Sequence, residues 1–507
     1  MPKLKQPCKL QDLVMLRVVK MLRKACESWI RALREAALTG SVAYLKETQN
    51  VTADCDTVHE LLTSLLTGIS AQQAALILKE IIPVITNYDD NCWELKRASW
   101  YQDEKHNTVC VKMLRAVLPA GAKEFVINCR SSGFAQKLII QTLATVPDLT
   151  ALTFHTNTEI NNSALLASNI HHLKNLQEFE YFYHCTDDVV EQLGLHCTEL
   201  KTVNLRESLA VTDTSIRHLM KLRKLEYLNL TYTDVSFPSY GSLLSRLPMI
   251  RNIDMLSLID DVFNYIRKQE LCTVTQFSGF IHNINIVRQK CPNLTKAKVY
   301  TFNKDLKNLT ALIGLVNLHI INGNYEKCNL GAVLIGMGHR LIDLCLYDIT
   351  DVNIAHIVMP CSSLKRLVLK GCTFVSQNKN SALDTYLPHY KSLIILKLIG
   401  NSSHQTDFHH LRYYDNLQVF ECKGLDILTD DFIRDATRQG AFRNILRFWV
   451  EDTGLGALTM STVELLLQHC EHLREIGLLR SWRRVTLSQC SDLIERMRSM
   501  NFDLQLD

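Results

Sequence analysis

The chain has 507 residues, 47% of them hydrophobic and 21% charged, ordinary proportions for a folded globular protein. Its 56 Lys and Arg nearly balance 52 Asp and Glu, and a net charge of +4 argues against a protein held on nucleic acid mainly by neutralising phosphates. The length is too great for one compact core unless the fold is a repeat stack, and no run of about 18 residues is apolar enough to span a bilayer.

The opening residues Met1 to Cys8 are polar and lead into a charged helix rather than an apolar signal core. Residues 3–37 read as one or two basic amphipathic helices. Leu10, Leu13, Val14, Leu16, Val18, Leu22, Cys26, Trp29, Ile30 and Leu33 recur at three- and four-residue steps, with Lys20, Arg23, Lys24, Arg31 and Arg34 near the outer face. Asp12, Glu27 and Glu35 interrupt the basic pattern that a mitochondrial presequence would need. Thr57, with Glu60 three residues on, has the spacing of a capping box and predicts a helix start, closed by Gly68. Ser70 with Gln73 predicts the next helix, lined by Leu76, Ile77, Ile81 and Ile82 and ended or kinked by Pro83. Asn87 to Asn91 reads as a loop, and a further helix is expected over Val109 to Leu118, stopped by Pro119 and Gly121. Residues 1–118 therefore form an α-helical N-terminal domain or cap.

From residue 119 to 507 a different period takes over. Cys361, Leu364, Leu367, Leu369 and Cys372 follow a C-x-x-L-x-x-L-x-L-x-x-C skeleton, whose alternating pair Leu367 and Leu369 marks a short strand with one buried face. The first strand is expected at Glu124 to Asn128, in the frame Ala122/Phe125/Ile127. Further frames follow at Leu149/Leu152/Phe154, Leu176/Phe179/Tyr181, Leu200/Val203/Leu205, Leu225/Leu228/Leu230 and Ile250/Ile253/Met255. Weaker ones stand at Val274/Phe277/Gly279, Leu294/Ala297/Val299 and Leu315/Leu318/Ile320. The pattern firms at Leu341/Leu344/Leu346, Leu364/Leu367/Leu369 and Leu393/Leu396/Leu398, and closes with Leu417/Phe420/Cys422, Ile445/Phe448/Val450 and Leu473/Ile476/Leu478. These amount to about fifteen units at a spacing near 25 residues, within the leucine-rich-repeat range. A last helix is expected over Ser488 to Met497, and Asn501 to Leu506 adds a terminal strand. The fold class is α/β: a leucine-rich-repeat solenoid with parallel strands on its concave side and helices on its convex side.

The segment after a strand often opens with Thr-Asp, at Thr186-Asp187, Thr212-Asp213, Thr233-Asp234, Thr350-Asp351 and Thr429-Asp430. Either side chain can accept from the free amides of a following helix, and the acid suits the helix N-terminus. The 17 cysteines, many at equivalent repeat positions, read as small reduced core residues rather than disulfides, which places the chain in the cytoplasm or nucleus. On that reading the Asn-x-Ser/Thr triplets at Asn50, Asn229, Asn293, Asn308 and Asn401 are chance matches.

Four units carry Cys three residues before the first Leu: Cys197 with Leu200, Cys291 with Leu294, Cys361 with Leu364, and Cys470 with Leu473. This pattern resembles the cysteine-containing leucine-rich repeats of the F-box substrate receptors of cullin-RING ubiquitin ligases. The cysteines occur singly rather than as C-x-x-C pairs, so zinc ligation is not expected. Residues 1–118 contain no F-box pattern. Instead Lys9 to Val18 is similar to the elongin-binding box of cullin-2 receptors: Leu10, Val14 and Val18 fit its spacing, with Leu13 beside them, although Val14 stands where that family usually has Cys. The resemblance implies docking to elongin B/C and a cullin; the alternative is an ordinary core-packing helix.

No enzyme chemistry is expected, no catalytic set is singled out and no cofactor or metal is called for. The pairs Gly336/Gly338 and Gly454/Gly456 lack the rest of a phosphate loop and read as turns. His404, His409 and His410 share one polar loop without a carboxylate or Cys at ligand spacing, and His171 and His172 fall at the surface end of a repeat helix. A binding face has better support. By strand alternation the concave side presents Glu178 and Glu180, then Thr202, Asn204 and Arg206, then Tyr227, Asn229 and Thr231. Later units present Lys296, Lys298, Tyr300, Arg366, Lys370, Lys397, Arg447, Trp449 and Glu451. The expected site is the basic-aromatic sector Lys296, Lys298, Tyr300, Arg366, Lys370, Lys397, Arg447 and Trp449, extended by Arg480, Trp482, Arg483 and Arg484. Its partner would be a protein with an acidic or phosphorylated segment. The bland alternative is that these charges only solvate the inner sheet. Competing functions are substrate receptor, scaffold or inhibitor, and, less favoured by the balanced charge, RNA binding.

Overall fold

The computed structural model describes residues 10–65, 71–90, 103–118, 122–127, 133–155, 160–267, 270–281, 283–375, 392–401, 414–424, 428–451, 458–500, 502 and 504–506. The chain falls into two compact units, one of residues 8–256 with 261–269, the other centred on residues 270–507.

The first unit opens with helices α1 (Leu10–Thr39), α2 (Ser41–Leu65), α3 (Ala71–Asp90) and α4 (Asp103–Val117). On α1 the buried stripe is Met15, Val19, Leu22, Cys26, Trp29, Ile30, Leu33 and Ala37, a run of three- and four-residue steps that covers one face. Gly40 separates α1 from α2 with a left-handed φ of 130°. Two expectations are corrected here. Thr57 does not start a helix: it lies inside α2, its hydroxyl donating to the Ala53 carbonyl at 3.0 Å. Thr48 and Thr52 bond back into the preceding turn in the same way, so these hydroxyls are absorbed by the helix rather than ending it. The expected loop from Asn87 is helical to Asp90, because α3 continues through Pro83. Gly68, Ser70 and the stop at Pro119 to Gly121 lie outside the described residues. Helix α4 reaches the first repeat: Arg115 donates to the Gln141 carbonyl at 2.9 Å and Asn107 to the Gln141 side chain at 3.0 Å.

Six strands follow in the first unit: β1 (Glu124–Ile127), β2 (Ala151–Phe154), β3 (Glu178–Tyr181), β4 (Thr202–Asn204), β5 (Tyr227–Asn229) and β6 (Asn252–Leu258). The second unit carries β7 (Gln276–Phe280), β8 (Lys296–Tyr300), β9 (Asn317–Asn324), β10 (Asp343–Thr350), β11 (Arg366–Lys370), β12 (Ile395–Ile399), β13 (Val419–Lys423), β14 (Arg447–Val450), β15 (Glu475–Gly477) and β16 (Gln505–Leu506). Within each unit every strand pairs in parallel with the next in sequence. Each of the fifteen expected frames coincides with a strand, and the final helix and terminal strand are found at Leu487–Ser499 and β16. Register keeps like positions together: Phe125 lies beside Leu152, Leu152 beside Phe179, and Leu344 beside both Leu318 and Leu367. The weak frames hold the same register, with Phe277 beside Ala297 and Ala297 beside Leu318. The pattern faded there because Gly279 and Ala297 fill slots that Leu or Val fill elsewhere, at a loss of about 0.8 kcal/mol of burial per missing methylene.

The repeat cysteines are buried free thiols. Burial pushes the thiols of Cys197, Cys291, Cys361 and Cys470 up to about 12. Cys197 donates to the Leu173 carbonyl at 3.3 Å. A Cβ on Gly338 would stand 2.9 Å from the Cys361 sulfur, so the slot is small as well as apolar.

The Thr-Asp dipeptide does more than cap. Thr212 accepts from the Thr214 amide at 3.2 Å while its own hydroxyl proton goes to Asp187 of the preceding unit at 2.7 Å. Asp187 also takes the Thr212 amide at 2.9 Å, the Thr214 hydroxyl at 2.7 Å and the Ser215 hydroxyl. The device recurs from Asp213 to the amide and hydroxyl of Ser236, and from Asp430 to those of Thr459. Three of the expected caps are not side-chain caps: Thr186 stands at the N-cap position of the helix Asp187–His196 but makes no capping hydrogen bond. The helix after Thr233 is capped by Ser236, and Thr350 ends β10 before a left-handed Asp351, which accepts from Asn324 at 2.6 Å.

Burial works against ionisation of Asp187, but the hydrogen bonds from Ser215, Thr212 and Thr214 outweigh it and hold the carboxyl below its ordinary range. A depressed carboxyl stabilises the fold above its unfolded value of about 3.9, and that contribution is lost as pH falls through the lower folded value. Thermal unfolding of wild type should therefore lose stability below about pH 4. In Asp187→Asn that loss should be smaller, alongside a lower stability at neutral pH. Thr459→Val, which removes the cap and the link at once, should cost about 1–3 kcal/mol in denaturant titration.

Candidate interaction face

The strands bury one face against the repeat helices and leave the alternate residues on an open face. In the second unit register lays these residues out in rows across the strands. One row runs Lys296, Asn317, Asp343, Arg366. The next runs Lys298, His319, Cys345, Val368, Lys397, Glu421, Trp449, Gly477. A third runs Phe280, Tyr300, Ile321, Tyr347, Lys370. All eight residues of the expected sector lie on this face, from β8 to β14.

The structure corrects the sector's basic character, because acids on neighbouring strands answer three of its cations. Arg366 reaches both carboxylate oxygens of Asp343, at 2.8 and 3.0 Å. Lys397 and Lys423 both pair with Glu421, at 2.8 and 2.9 Å, and Arg447 pairs with Glu475. Burial opposes ionisation of Glu421, which is only 7% exposed, yet the two ammonium groups keep its carboxyl below the usual range. Among the described residues, Lys296, Lys298 and Lys370 carry no carboxylate partner.

A tighter cluster surrounds Arg366. Its guanidinium lies 2.9 Å from the Cys345 sulfur, and His319 Nε2 lies 3.5 Å from Asp343. Burial opposes ionisation of Asp343, but the His319 contact and the Arg366 charge hold its carboxyl low; burial and Asp343 push the Cys345 thiol up to about 12. His319, Asp343 and Cys345 bring metal-ligating atoms within 4.8 Å of one another. Arg366 places its charge on both the carboxylate and the sulfur, so the Asp343 carboxylate is paired.

Trp449 is an inset plate rather than a protruding anchor. Its ring lies over Gly477, where a Cβ would stand 2.8 Å from the indole, and Lys423 and Arg447 flank it at 5.4 and 5.5 Å. The expected extension through Trp482 is also corrected: that ring is buried and donates its N–H to the Val450 carbonyl at 2.8 Å.

In the first unit the open face is polar and acidic. His155 pairs with Glu180 and stacks on Phe182 at 4.2 Å. Asn204, Asn229 and Thr231 are buried on it, with Asn229 accepting from the Thr231 amide at 2.9 Å. On α1, Leu13 and Val14 are 50% and 51% exposed, off the core stripe, and Val18 is half-buried at the stripe's edge. Leu10 begins α1, and its side chain lies outside the described residues. Leu16 and Met21 add to the exposed apolar area.

His171 is exposed at the end of its repeat helix, as expected. Gly336 sits inside the helix Leu330–Met337 and Gly338 opens a 3-10 turn, which corrects Gly336 as a turn residue. His404, His409, His410, Gly454 and Gly456 lie outside the described residues. Sequence reasoning missed Phe280, Phe302, Ile321 and Tyr347. Phe280 and Tyr347 could have been found by laying each frame beside its neighbour, because they occupy the same column as Tyr300 and Lys370.

No family model and no curated protein matches this chain. Among solved structures, the Rad7 and Elc1 complex in yeast aligns over 99% of this chain and 98% of that one, at 12% identity and a TM-score of 0.35. The TLR13–ssRNA13 complex aligns over 68% of this chain and 54% of that one, at 13% identity and a TM-score of 0.35. At such scores neither assigns a function.

Gly477→Ala should drive the Trp449 ring off the sheet. The expected result is a changed tryptophan emission and a loss of about 1–3 kcal/mol in denaturant titration. An unchanged emission would show that the ring does not lie against Gly477.

Proposed function

We propose that the chain is a non-enzymatic recognition subunit of a cullin-RING ubiquitin ligase. The open sheet face of its repeats holds a protein, and α1 docks to the ligase core. The observation that carries the ligase half is the placement of the box-like residues. Leu13 and Val14 are half exposed, while Met15, Val19 and Leu22 supply the stripe that packs inward. The pair lies off that stripe, so α1 can pack into its own domain and still offer apolar area to a partner. Covering the exposed half of each such side chain is worth about 1 kcal/mol, so the pair with its exposed neighbours can serve as a docking element. Ligase chemistry would come from partner subunits.

A scaffold or inhibitor with no ubiquitin role is the second reading. It is favoured by the contacts of Asn107 and Arg115 with Gln141, which make α4 a cover for the first repeat.

Affinity capture with the full-length chain separates the two. Wild type should recover elongin B/C and a cullin, and Leu13→Asp with Val14→Asp should reduce recovery to background at unchanged thermal stability. Wild type recovering neither these nor the F-box adaptor would leave the scaffold reading in place.

A further inference from the structure

The cations that survive pairing are not scattered. Lys296 and Lys298 lie on β8, beside an aromatic cluster in which Phe280 stacks on Phe302 at 4.7 Å and 15° and meets Tyr300 at 5.3 Å. Lys298 stands over the Tyr300 ring at 5.4 Å. Phe302 is 63% exposed and holds a left-handed backbone, φ 46°, a conformation that a bulky side chain rarely adopts. From this cluster the row Tyr300, Ile321, Tyr347 crosses the sheet to Lys370, the third cation without a carboxylate partner, and continues through Ile399 to Lys423, which Glu421 neutralises. An apolar strip thus has free ammonium groups at both ends, on a face where the other strand cations are neutralised.

Given the reading that this face holds a protein, we infer that the strip from Phe280 to Lys370 binds an extended acidic peptide segment of the partner. The segment runs across the strands, with an apolar side chain on the Phe280–Tyr300–Phe302 cluster and a carboxylate on Lys370. Spacing sets the pattern. Three strand steps from Tyr300 to Lys370 span about 14 Å, and four residues of extended chain span about 13 Å, so the apolar anchor and this acid are roughly four residues apart. A second acid beside the anchor meets Lys296 and Lys298. Arg366, the guanidinium fork of this region that would best grip a phosphate in bidentate fashion, is committed to Asp343, which leaves single ammonium groups suited to the side-chain carboxylates of a peptide.

The test selects a phage-displayed random peptide library on the immobilised full-length chain. It then measures the enriched peptide by fluorescence anisotropy. Enrichment should favour an aromatic or aliphatic residue with Asp or Glu roughly four positions away. Lys298→Glu with Lys370→Glu, and separately Tyr300→Ala with Phe302→Ala, should each weaken binding by about tenfold or more, with thermal stability unchanged. Arg438→Glu, on the repeat helix Asp430–Arg438 and outside the strip, should leave binding unaltered. Peptides without acids, no enrichment over the combined variant, or equal affinity for wild type and variants would each overturn the inference. So would an oligouridylate binding with this variant sensitivity while peptides do not. Leu13→Asp with Val14→Asp should keep peptide binding while losing the ligase subunits, so the two proposals fail separately.

Discussion

A single hydroxyl serving two helices at once is the directional constraint between successive repeats at three of their junctions. Thr212, Ser236 and Thr459 each accept a backbone amide from the helix they open and donate to an aspartate of the unit before. The aspartate also receives the backbone amide of that same residue. Buried leucines hold each unit together but slide easily past one another, because apolar contact has no direction. The carboxylate links do have direction. At these three junctions they fix where one helix begins relative to the last.

The strand skeleton was legible because burial on one side of a short parallel strand imposes a spacing that no other local structure shares. Even the units around Phe277 and Ala297 kept it once the flanking Val274 and Leu294 were counted. The N-terminal helices were less legible. Thr57 with Glu60 has the right spacing for a helix start, yet a threonine hydroxyl can bond to its own preceding turn, as it does to Ala53. Local sequence does not distinguish these outcomes; the packing of α2 against its neighbours does. Thr-Asp was ambiguous for a similar reason. At Thr350 the following Asp351 turns left-handed and closes a strand instead of opening a helix.

The binding face shows the clearest divide between what one strand can say and what only the stack can say. Each strand announces which residues face outward, so Lys397 and Arg447 were placed correctly. Their neutralisation comes from Glu421 and Glu475, which are distant in the chain and adjacent only through parallel register. A charge map drawn strand by strand therefore overstates the field. Much of the apparent basic surface is a lattice of internal pairs, and the free charge is confined to a few lysines beside aromatic rings.

The shared hydroxyl also limits how such an array can change over generations. Because each aspartate must meet a serine or threonine at the head of the following unit, a repeat is not an interchangeable module. Duplicating or excising one in register joins a new aspartate to a new neighbour, and the splice is tolerated only where that neighbour brings a hydroxyl. The array should grow or shrink in blocks whose ends match, and units lacking the pair, such as the one after Thr350, are where its length is freest to drift.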